Sequence, residues 1–298
     1  MKYIVTPFDK EQILKFNKYQ TIKGYLFGLE NFAIRFTNYF SIKEIKEIKK
    51  ISNKQIFVTI NKFIFQSEIN DLIELLKELE KIEIDGLYFS DLAIVNLVNE
   101  HNINLKLIYT TETTITNKYF LSFAKKSKIN GLDLAKEITF NEIKQIVDDN
   151  DKNINLNITI HGNLYMYYSY RKLITNYFDY TKKELTKKNM FLYNEERNDY
   201  YPIIEENNGT SVISAYDLCL IDKLDEINDL ELYCKIDGYL YEKEQYEKII
   251  EIYDKVSEIV KNNIEEYHIN KENYLEEIKK ISPNKKYNKG FYNKKTIY

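Results

Sequence analysis

Residues 55–89, QIFVTINKFIFQSEINDLIELLKELEKIEIDGLYF, contain one complete strand–helix–strand pattern. Gln55–Ile60 and Gly86–Phe89 are short runs rich in β-branched and aromatic residues, which is typical of buried strands. Between them, apolar side chains from Ile69 to Leu79 recur at helical spacing, with Glu and Lys on the opposite side. Two strands joined by a helix of this length are expected to be parallel neighbours in one sheet.

The same alternation continues on both sides of this unit. Ile42–Ile51 forms a second amphipathic helix, and we predict Ser41 and Ser67 as the N-caps of the two helices. The predicted strands are Tyr3–Thr6, Tyr25–Gly28, Gln55–Ile60, Gly86–Phe89, Leu105–Tyr109, Gly131–Leu134, Asn155–Ile160 and Glu231–Ile236. Eight strands of this kind favour an α/β fold of the (β/α)8 TIM-barrel type. A doubly wound open sheet remains the alternative, because periodicity does not distinguish the two.

The alternation breaks once, between residues 163 and 229. Tyr200–Glu205 and Thr210–Ser214 are predicted to form a β-hairpin with its turn at Asn208-Gly209. We therefore divide the chain into a barrel (1–162 and 230–262), an insertion on the catalytic face before the last strand (163–229), and a C-terminal part (263–298). Helices are predicted at Gln245–Lys261 and Lys271–Lys280, the second leading into a basic, aromatic tail.

Composition excludes some classes of function. The formal net charge of −3 over 298 residues argues against a general polyanion binder. Cys219 and Cys234 lie in apolar strings, which favours buried free thiols over a disulfide or a metal site. The N-terminus lacks a signal-peptide pattern and no apolar run approaches the length of a membrane span, so we expect a cytoplasmic protein without membrane contact.

The segment from Lys279 to Tyr298 carries seven lysines and no acid, interleaved with aromatic residues. One interpretation is a solvated, partly flexible terminus. The other is an electrostatic contact to nucleic acid, helped by aromatic stacking. The candidate contacts are Lys285, Lys286, Lys289, Lys294 and Lys295.

Polar residues near the carboxyl ends of the predicted strands are the candidate site, because barrel proteins place function there. Candidate ligand-binding residues are Glu30, Arg35, Asn61, Asp91, Asn117, Arg171, Lys235 and Asp237, and candidate catalytic residues are Glu112, Glu137 and His161. Such a set suits a small polar or anionic ligand. No specific reaction follows from it, since glycine-rich phosphate loops, nucleophile elbows and metal-binding motifs are missing.

His161 lies in the segment from Ile158 to Phe178, ITIHGNLYMYYSYRKLITNYF. A β-branched strand is predicted to end at His161-Gly162, which would place the imidazole at the mouth of a barrel. The local sequence alone favours a histidine satisfied by nearby hydrogen bonds. Its position at a strand end favours a functional role.

Six segments together carry a family resemblance: residues 28–35 (GLENFAIR), 110–117 (TTETTITN), 161–178 (HGNLYMYYSYRKLITNYF), 214–227 (SAYDLCLIDKLDEI), 233–240 (YCKIDGYL) and 288–298 (NKGFYNKKTIY). They resemble the collagenase-like peptidases of family U-32. They follow the family order over nearly the whole chain. The sequences of the second and third segments are most similar to the smaller of two paired paralogues in the branch of the family that hydroxylates tRNA.

The resemblance implies a barrel core and, in the better understood members, oxygen-independent hydroxylation. One such group acts on the wobble uridine of tRNA with prephenate as hydroxyl source. Those members hold an iron–sulfur cluster on four cysteines, two of them in the signature that begins His-Gly. Here those two positions are Tyr165 and Lys172, so we expect no cluster and no metal in this chain. The family's KIEGR motif also becomes Lys235-Ile-Asp-Gly-Tyr239.

Three hypotheses follow from the resemblance. The first is an accessory subunit in prephenate-dependent 5-hydroxylation of the tRNA wobble uridine, working with a larger U-32 paralogue that carries the iron–sulfur cluster. In it, the strand-end residues would bind that partner, tRNA or a prephenate-like anion. The second is a collagenase-like peptidase, as the family label implies. The third is a barrel that acts only as a non-catalytic scaffold.

Overall fold

The computed structural model describes residues 1–184 and 190–294. Its strands are β1 (Lys2–Val5), β2 (Ile22–Leu29), β3 (Tyr39–Phe40), β4 (Gln55–Ile60), β5 (Gly86–Phe89), β6 (Leu107–Thr110), β7 (Gly131–Asp133), β8 (Asn155–Ser169), β9 (Met190–Asn194), β10 (Asp199–Glu206), β11 (Gly209–Cys219), β12 (Tyr233–Ile236) and β13 (Tyr287–Asn288). Eight parallel strands follow in the order β1, β2, β4, β5, β6, β7, β8 and β12. Because β12 pairs with both β8 and β1, the sheet closes on itself. The predicted barrel is confirmed, and an open sheet is excluded.

The helices cover the outside of the barrel, except the one in the insertion, which contacts β10 and β11. They are α1 (Lys10–Phe16), α2 (Ile42–Ile51), α3 (Ile69–Ile82), α4 (Ala93–Glu100), α5 (Tyr119–Lys126), α6 (Phe140–Asp148), α7 (Leu173–Thr181), α8 (Leu224–Asn228), α9 (Lys243–Asn262) and α10 (Ile264–Ile281). Ser41 caps α2 in a reciprocal capping box with Glu44, as predicted. The prediction of Ser67 as an N-cap is wrong. Ser67 lies inside a short 3-10 helix, Gln66–Glu68, and the Phe65 N–H just before that helix donates to the Glu68 side chain.

Strand β8 does not end at Gly162, which corrects the prediction. Up to that point it pairs in parallel with β7 and β12, and beyond it the strand continues to Ser169 with β11 as antiparallel partner. Gly162 makes this possible because its φ is +122°, and a Cβ there would lie 2.8 Å from Asp237. The strand therefore crosses from the barrel into the insertion, past the predicted boundary at residue 162.

The insertion extends the barrel sheet. Strands β11, β10 and β9 add to β8 in that order. β10 pairs with β11 on one side and with β9 on the other, both in antiparallel orientation. The hairpin is confirmed, but its turn is Asn207-Asn208, because Gly209 already pairs with Glu206. A Cβ on Gly209 would lie 2.2 Å from the Ser169 carbonyl oxygen, so glycine is needed for the close approach of β8 rather than for the turn.

The inside of the barrel has an apolar layer with a polar layer above it. Ile4, Leu26, Phe57, Tyr88 and Ile108 form a separate buried cluster. Side chains two residues apart on a strand share a face, so the next inward positions are Thr59 on β4, Thr110 on β6 and Thr6 directly after β1. These polar residues line the cavity described below.

The C-terminal part is packed against the barrel and the insertion. Helix α10 begins at Ile264, earlier than the predicted Lys271, and the following tail pairs through β13 with β11. Tyr292 is buried, with its ring 5.1 Å from that of Phe140. The tail up to Lys294 is thus docked, which corrects its interpretation as a solvated, flexible terminus. Within residues 1–184 and 190–294, no helix has both the length and the apolar character that crossing a membrane requires.

Candidate ligand-binding cavity at the barrel mouth

A cavity lies at the carboxyl ends of the barrel strands. Five of the predicted residues line it: Arg35, Asn61, Glu112, Lys235 and Asp237. They come from the segments that follow or end β2, β4, β6 and β12. Residues separated by about two hundred positions in sequence therefore meet at one mouth, as the strand-end rule of barrels predicts.

Asn61 fixes the loop that carries Arg35. Its side-chain oxygen accepts a hydrogen bond from the Ile34 backbone N–H at 2.9 Å, and its amide donates to the Ile34 carbonyl at 3.2 Å. Arg35 follows with a positive φ of 61°. The two bonds tie the loop after β2 to the end of β4, so Asn61 positions Arg35.

Glu112 lies between two cations. The Arg35 guanidinium donates to Oε1, and Lys136 Nζ donates to Oε2 at 3.2 Å. Burial alone would raise the pKa of Glu112, but the two cations hold it well below its usual range. Glu112 is therefore ionised near neutral pH, where it holds Arg35 and Lys136 in place rather than exchanging protons.

Lys235 is held by a second ion pair across the barrel. Its ammonium group binds Asp133 Oδ2, which also accepts a hydrogen bond from Thr110 Oγ1 at 2.7 Å. Asp133 is almost fully buried. The pair joins β12 to β7 and keeps the lysine at the cavity wall.

Asp237 uses one of its two carboxylate oxygens for hydrogen bonds within the described part of the chain. The Tyr239 N–H donates to Oδ1 at 2.9 Å and Thr6 Oγ1 donates to the same atom at 3.4 Å; among the described residues no hydrogen bond reaches Oδ2. Burial raises the pKa of Asp237, although nearby lysines oppose the shift. This carboxyl group is the candidate proton donor or acceptor of the cavity.

Several lining residues were missed from the sequence, namely Thr6, Thr59, Thr110, Lys136, Asn163 and Tyr239. The strand-end rule could have found the threonines, which occupy inward positions on β4 and β6 and directly after β1. Tyr165, noted only as a replaced cysteine position, also lines the cavity, with its ring 4.2 Å from Arg35 Cζ. This contact is a cation–π interaction under the guanidinium.

Five predicted site residues lie away from this cavity. Glu30, Asn117 and Arg171 are exposed on loops. Asp91 lines an open groove beside the cavity and accepts the Ala93 N–H at 2.9 Å. Glu137 is half-buried beside Lys136; burial raises its pKa, and its Oε2 has no partner among the described residues. Their functional roles stay predictions.

His161, the sixth, is fully buried on the side of β8 that faces α9 and the tail. Its Nδ1 lies 3.3 Å from Tyr253 Oη, and the rings of Tyr241, Tyr253 and Tyr287 surround it at centroid distances of 5.5, 5.5 and 5.8 Å. It is not among the residues that line the cavity. A catalytic role for His161 stays a prediction, and the geometry supplies a packing role.

The His161 environment predicts an acid-sensitive fold. Burial, and to a lesser extent Lys285, lowers the pKa of His161 to about 3. An unfolded histidine titrates near pH 6.5, so between about pH 6.5 and 3 only the unfolded state gains the proton. As the pH is lowered through that window, the free energy of unfolding therefore falls by up to roughly 1.4 kcal/mol per pH unit. Urea unfolding of wild type and His161→Phe at pH 7.5, 6.5 and 5.5 is expected to show a smaller loss in the variant. Equal losses would contradict a neutral, buried imidazole.

The tail lysines predicted to contact nucleic acid are largely engaged within the chain. Lys285 pairs with Asp217 at 2.7 Å, Lys286 with Asp199 at 3.4 Å, and Lys289 with Asp222. Lys294 is exposed and makes no ion pair within the described part of the chain. Lys295 lies outside the described residues. Intramolecular pairing leaves less positive charge for phosphate groups, and nucleic-acid binding by these residues stays a prediction.

The residues present do not fit an iron–sulfur cluster. Tyr165 stacks on Arg35, and Lys172 is exposed just before α7. Cys219 and Cys234 are buried, and burial raises the pKa of each thiol to about 12, whereas cluster ligands are thiolates. In residues 1–184 and 190–294, no group of three or more His, Cys, Asp or Glu side chains is placed to hold a metal ion.

The fold and the cavity define a TIM-type barrel protein with a cavity, lined in part by charged side chains, at the carboxyl ends of its strands. The sequence model of peptidase family U32 matches residues 19–297. The chain belongs to peptidase family U32, which confirms the resemblance seen in its motifs.

Known relatives cover the chain to different extents. The chain is 32% identical to tRNA hydroxylation protein P2 of Bacillus subtilis (strain 168), over 99% of this chain and 98% of that protein. It is 24% identical to tRNA hydroxylation protein P1 of the same organism, over 88% of this chain and 63% of that protein. A solved U32 peptidase structure is similar with a TM-score of 0.45 and 11% identity, over 55% of this chain and 69% of that one.

Proposed function

We propose that this chain is an accessory subunit in 5-hydroxylation of the tRNA wobble uridine, acting with a larger U32 paralogue. The observation that carries the proposal is the 32% identity to tRNA hydroxylation protein P2 over almost the full length of both chains. tRNA hydroxylation protein P1 of the same organism is a second relative. It is longer than this chain, as the larger paralogue of a pair would be. In this proposal the paralogue supplies the iron–sulfur cluster and this chain holds none.

The cavity suggests what this subunit binds. Arg35, Lys136 and Lys235 line it, and ion pairs with acidic side chains fix all three. A prephenate-like anion is the ligand that we propose for this cavity, with prephenate as the hydroxyl source of the reaction. The charged groups would bind and orient the anion, and the Asp237 carboxyl could hold or pass a proton at Oδ2.

The proposal predicts a loss of modified tRNA. Deleting the gene in its host is expected to remove wobble 5-hydroxyuridine, measured by mass spectrometry of digested tRNA, and the wild-type gene should restore it. Asp237→Asn keeps the size of the side chain but removes its ionisable proton, so it should restore at most about a tenth of the modification. The matched control is Lys50→Met, an exposed lysine on α2 away from the cavity, which should restore it fully.

Two results would contradict the proposal. One is unchanged 5-hydroxyuridine after deletion of the gene. The other is failure of a tagged chain, expressed from its own locus, to co-purify with a larger U32 protein. Cleavage of denatured collagen by the purified chain, abolished by Asp237→Asn, would favour the peptidase hypothesis instead. Full restoration by Asp237→Asn, with the tagged chain bound to its paralogue, would favour a scaffold.

A further inference from the structure

The surface around the insertion helix α7 carries a local concentration of positive charge. Arg171 and Lys172 directly precede the helix, and Lys182 and Lys183 directly follow it. All four are exposed, and unlike three of the tail lysines, none of them forms an ion pair with another residue of the described part of the chain. Asp179 is the only acid of this segment. In a chain with a formal net charge of −3, such a segment attracts a polyanion locally.

Exposed tyrosines lie between these cations. Tyr177 and Tyr180 are 53% and 89% exposed, and their spacing of three residues places them on one face of the helix. Tyr167 on β8, also half-exposed, pairs with Val212 on β11. Thr210 shares that face of β11, and its hydroxyl accepts a hydrogen bond from the first N–H of α7 at 3.0 Å. Three exposed rings therefore belong to one surface.

The other side of α7 fixes the helix on the insertion sheet. Glu205 Oε2 accepts hydrogen bonds from the backbone N–H groups of Ile174 and Thr175 at 2.8 and 3.1 Å. Ile174 and Phe178, four residues apart, are less exposed than the tyrosines, and the helix contacts β10 and β11. The tyrosines and cations are thus held in place before any partner binds, which lowers the entropy cost of binding.

This surface is separate from the cavity at the barrel mouth. Glu206 follows Glu205 on β10, so its side chain lies on the opposite face of the sheet, where its Oε2 accepts from the Arg35 backbone N–H. α7 is therefore on the face of the insertion sheet that is turned away from the mouth. None of the four cations lines the cavity.

We propose that α7 and its flanking cations bind an RNA strand, with bases stacked on Tyr177 and Tyr180 and phosphates at the two basic ends. Aromatic faces beside unpaired cations are the combination that single-stranded nucleic acids require. The nine residues of α7 span about 14 Å, which is the length of about four stacked nucleotides at roughly 3.4 Å each. A protein partner matches less well, because protein interfaces are depleted in lysine. The inference rests on the proposed function for the choice of RNA, and it names the surface that holds that RNA.

Tyr180→Ala is the decisive variant. The ring has no hydrogen bond or ring contact within the described part of the chain, so the melting temperature should equal that of wild type. Fluorescence anisotropy of the full chain with fluorescein-labelled oligouridine of about twelve nucleotides, at about 50 mM salt, should give a Kd weakened about tenfold by the loss of one stacked base. The matched control is Tyr119→Ala, a 75% exposed tyrosine on the barrel helix α5, which should bind like wild type.

Arg171→Gln/Lys172→Gln tests the electrostatic part. Losing two phosphate contacts to a single strand should reduce the slope of log Kd against log salt by about 1.4. Lys43→Gln/Lys46→Gln on α2 removes the same total charge from exposed positions and should leave the slope unchanged. The proposal is overturned if wild type does not bind oligouridine at about 50 μM protein, if Tyr180→Ala binds it like wild type, or if the two double variants change the slope equally.

The outcomes also separate this inference from its alternatives. If Tyr180→Ala and Arg171→Gln/Lys172→Gln bind oligouridine like wild type but no longer co-purify with a larger U32 protein, the surface is a protein interface and the RNA site is wrong. Loss of 5-hydroxyuridine on gene deletion, with unchanged oligouridine binding in both variants, would remove the RNA site and keep the tRNA role. Weakened oligouridine binding in both variants, with unchanged tRNA on deletion, would keep the site and remove the tRNA role.

Discussion

Arg35→Met is expected to lower the free energy of unfolding by about 3 kcal/mol, as urea denaturation would measure it. Methionine fills much of the space of the arginine stem, so the loss comes mainly from charge. Glu112 would keep Lys136 at 3.2 Å but lose the guanidinium on Oε1. A carboxylate in this position is then incompletely compensated in a region from which water is largely excluded.

A double-mutant cycle isolates this effect. Glu112→Gln removes the charge that Arg35 compensates, so Arg35→Met/Glu112→Gln is expected to be more stable than the sum of the two single losses implies, by about 1–3 kcal/mol. Strict additivity would show that the two side chains do not interact in solution. The matched control is the surface pair Lys10–Glu47, whose side chains are 44% and 45% exposed. Lys10→Met should cost about 1 kcal/mol or less, because solvent screens the charges.

Gly162→Ala is expected to be at least as damaging, with a loss of about 3 kcal/mol or failure to fold. The φ of +122° is strained for any residue with a side chain, which costs about 1–3 kcal/mol. In addition, the new Cβ would lie 2.8 Å from both the Cβ and the carbonyl oxygen of Asp237. Either β8 or the segment that follows β12 must move to make room for the new Cβ. Overpacking of this kind typically costs about 1–3 kcal/mol more.

Gly290→Ala separates the two contributions. Gly290 also has a positive φ, +53°, but the nearest atom to a Cβ there is Leu218 Cδ1 at 3.3 Å. We expect a loss of about 1 kcal/mol from backbone strain alone. If Gly162→Ala and Gly290→Ala lower stability equally in urea denaturation, the close approach of β8 to Asp237 is not a constraint on the fold.

Local sequence patterns predicted the barrel strands well where both ends carry clear signals. Gln55–Ile60 and Gly86–Phe89 have the predicted bounds, because charged or turn residues flank a mostly apolar run in each case. β8 differs, since a glycine inside a strand looks locally like its end. Only the antiparallel partner β11, contributed from about fifty residues later in the chain, allows the strand to continue.

The sequence predicted part of the candidate site, because the residues that follow or end a strand can be read from the strand pattern. Arg35, Glu112, Lys235 and Asp237 follow or end strands, and the closed barrel brings such positions together whatever their separation in sequence. His161 satisfied the same rule, yet its side chain lies against α9 and the tail. Alternation along a strand sends neighbouring side chains to opposite faces, and the sequence did not indicate which face His161 would occupy.

The sequence by itself determined the alternation of strands and helices, the eightfold strand count, the motifs of family U32 and the replacement of cysteines by Tyr165 and Lys172. These properties depend on local periodicity and residue identity. Only the tertiary structure decided that Tyr165 would stack on Arg35 and that the tail lysines would pair with acids of the insertion. Pairing and burial depend on which distant segments meet, and closure of the barrel sets those meetings.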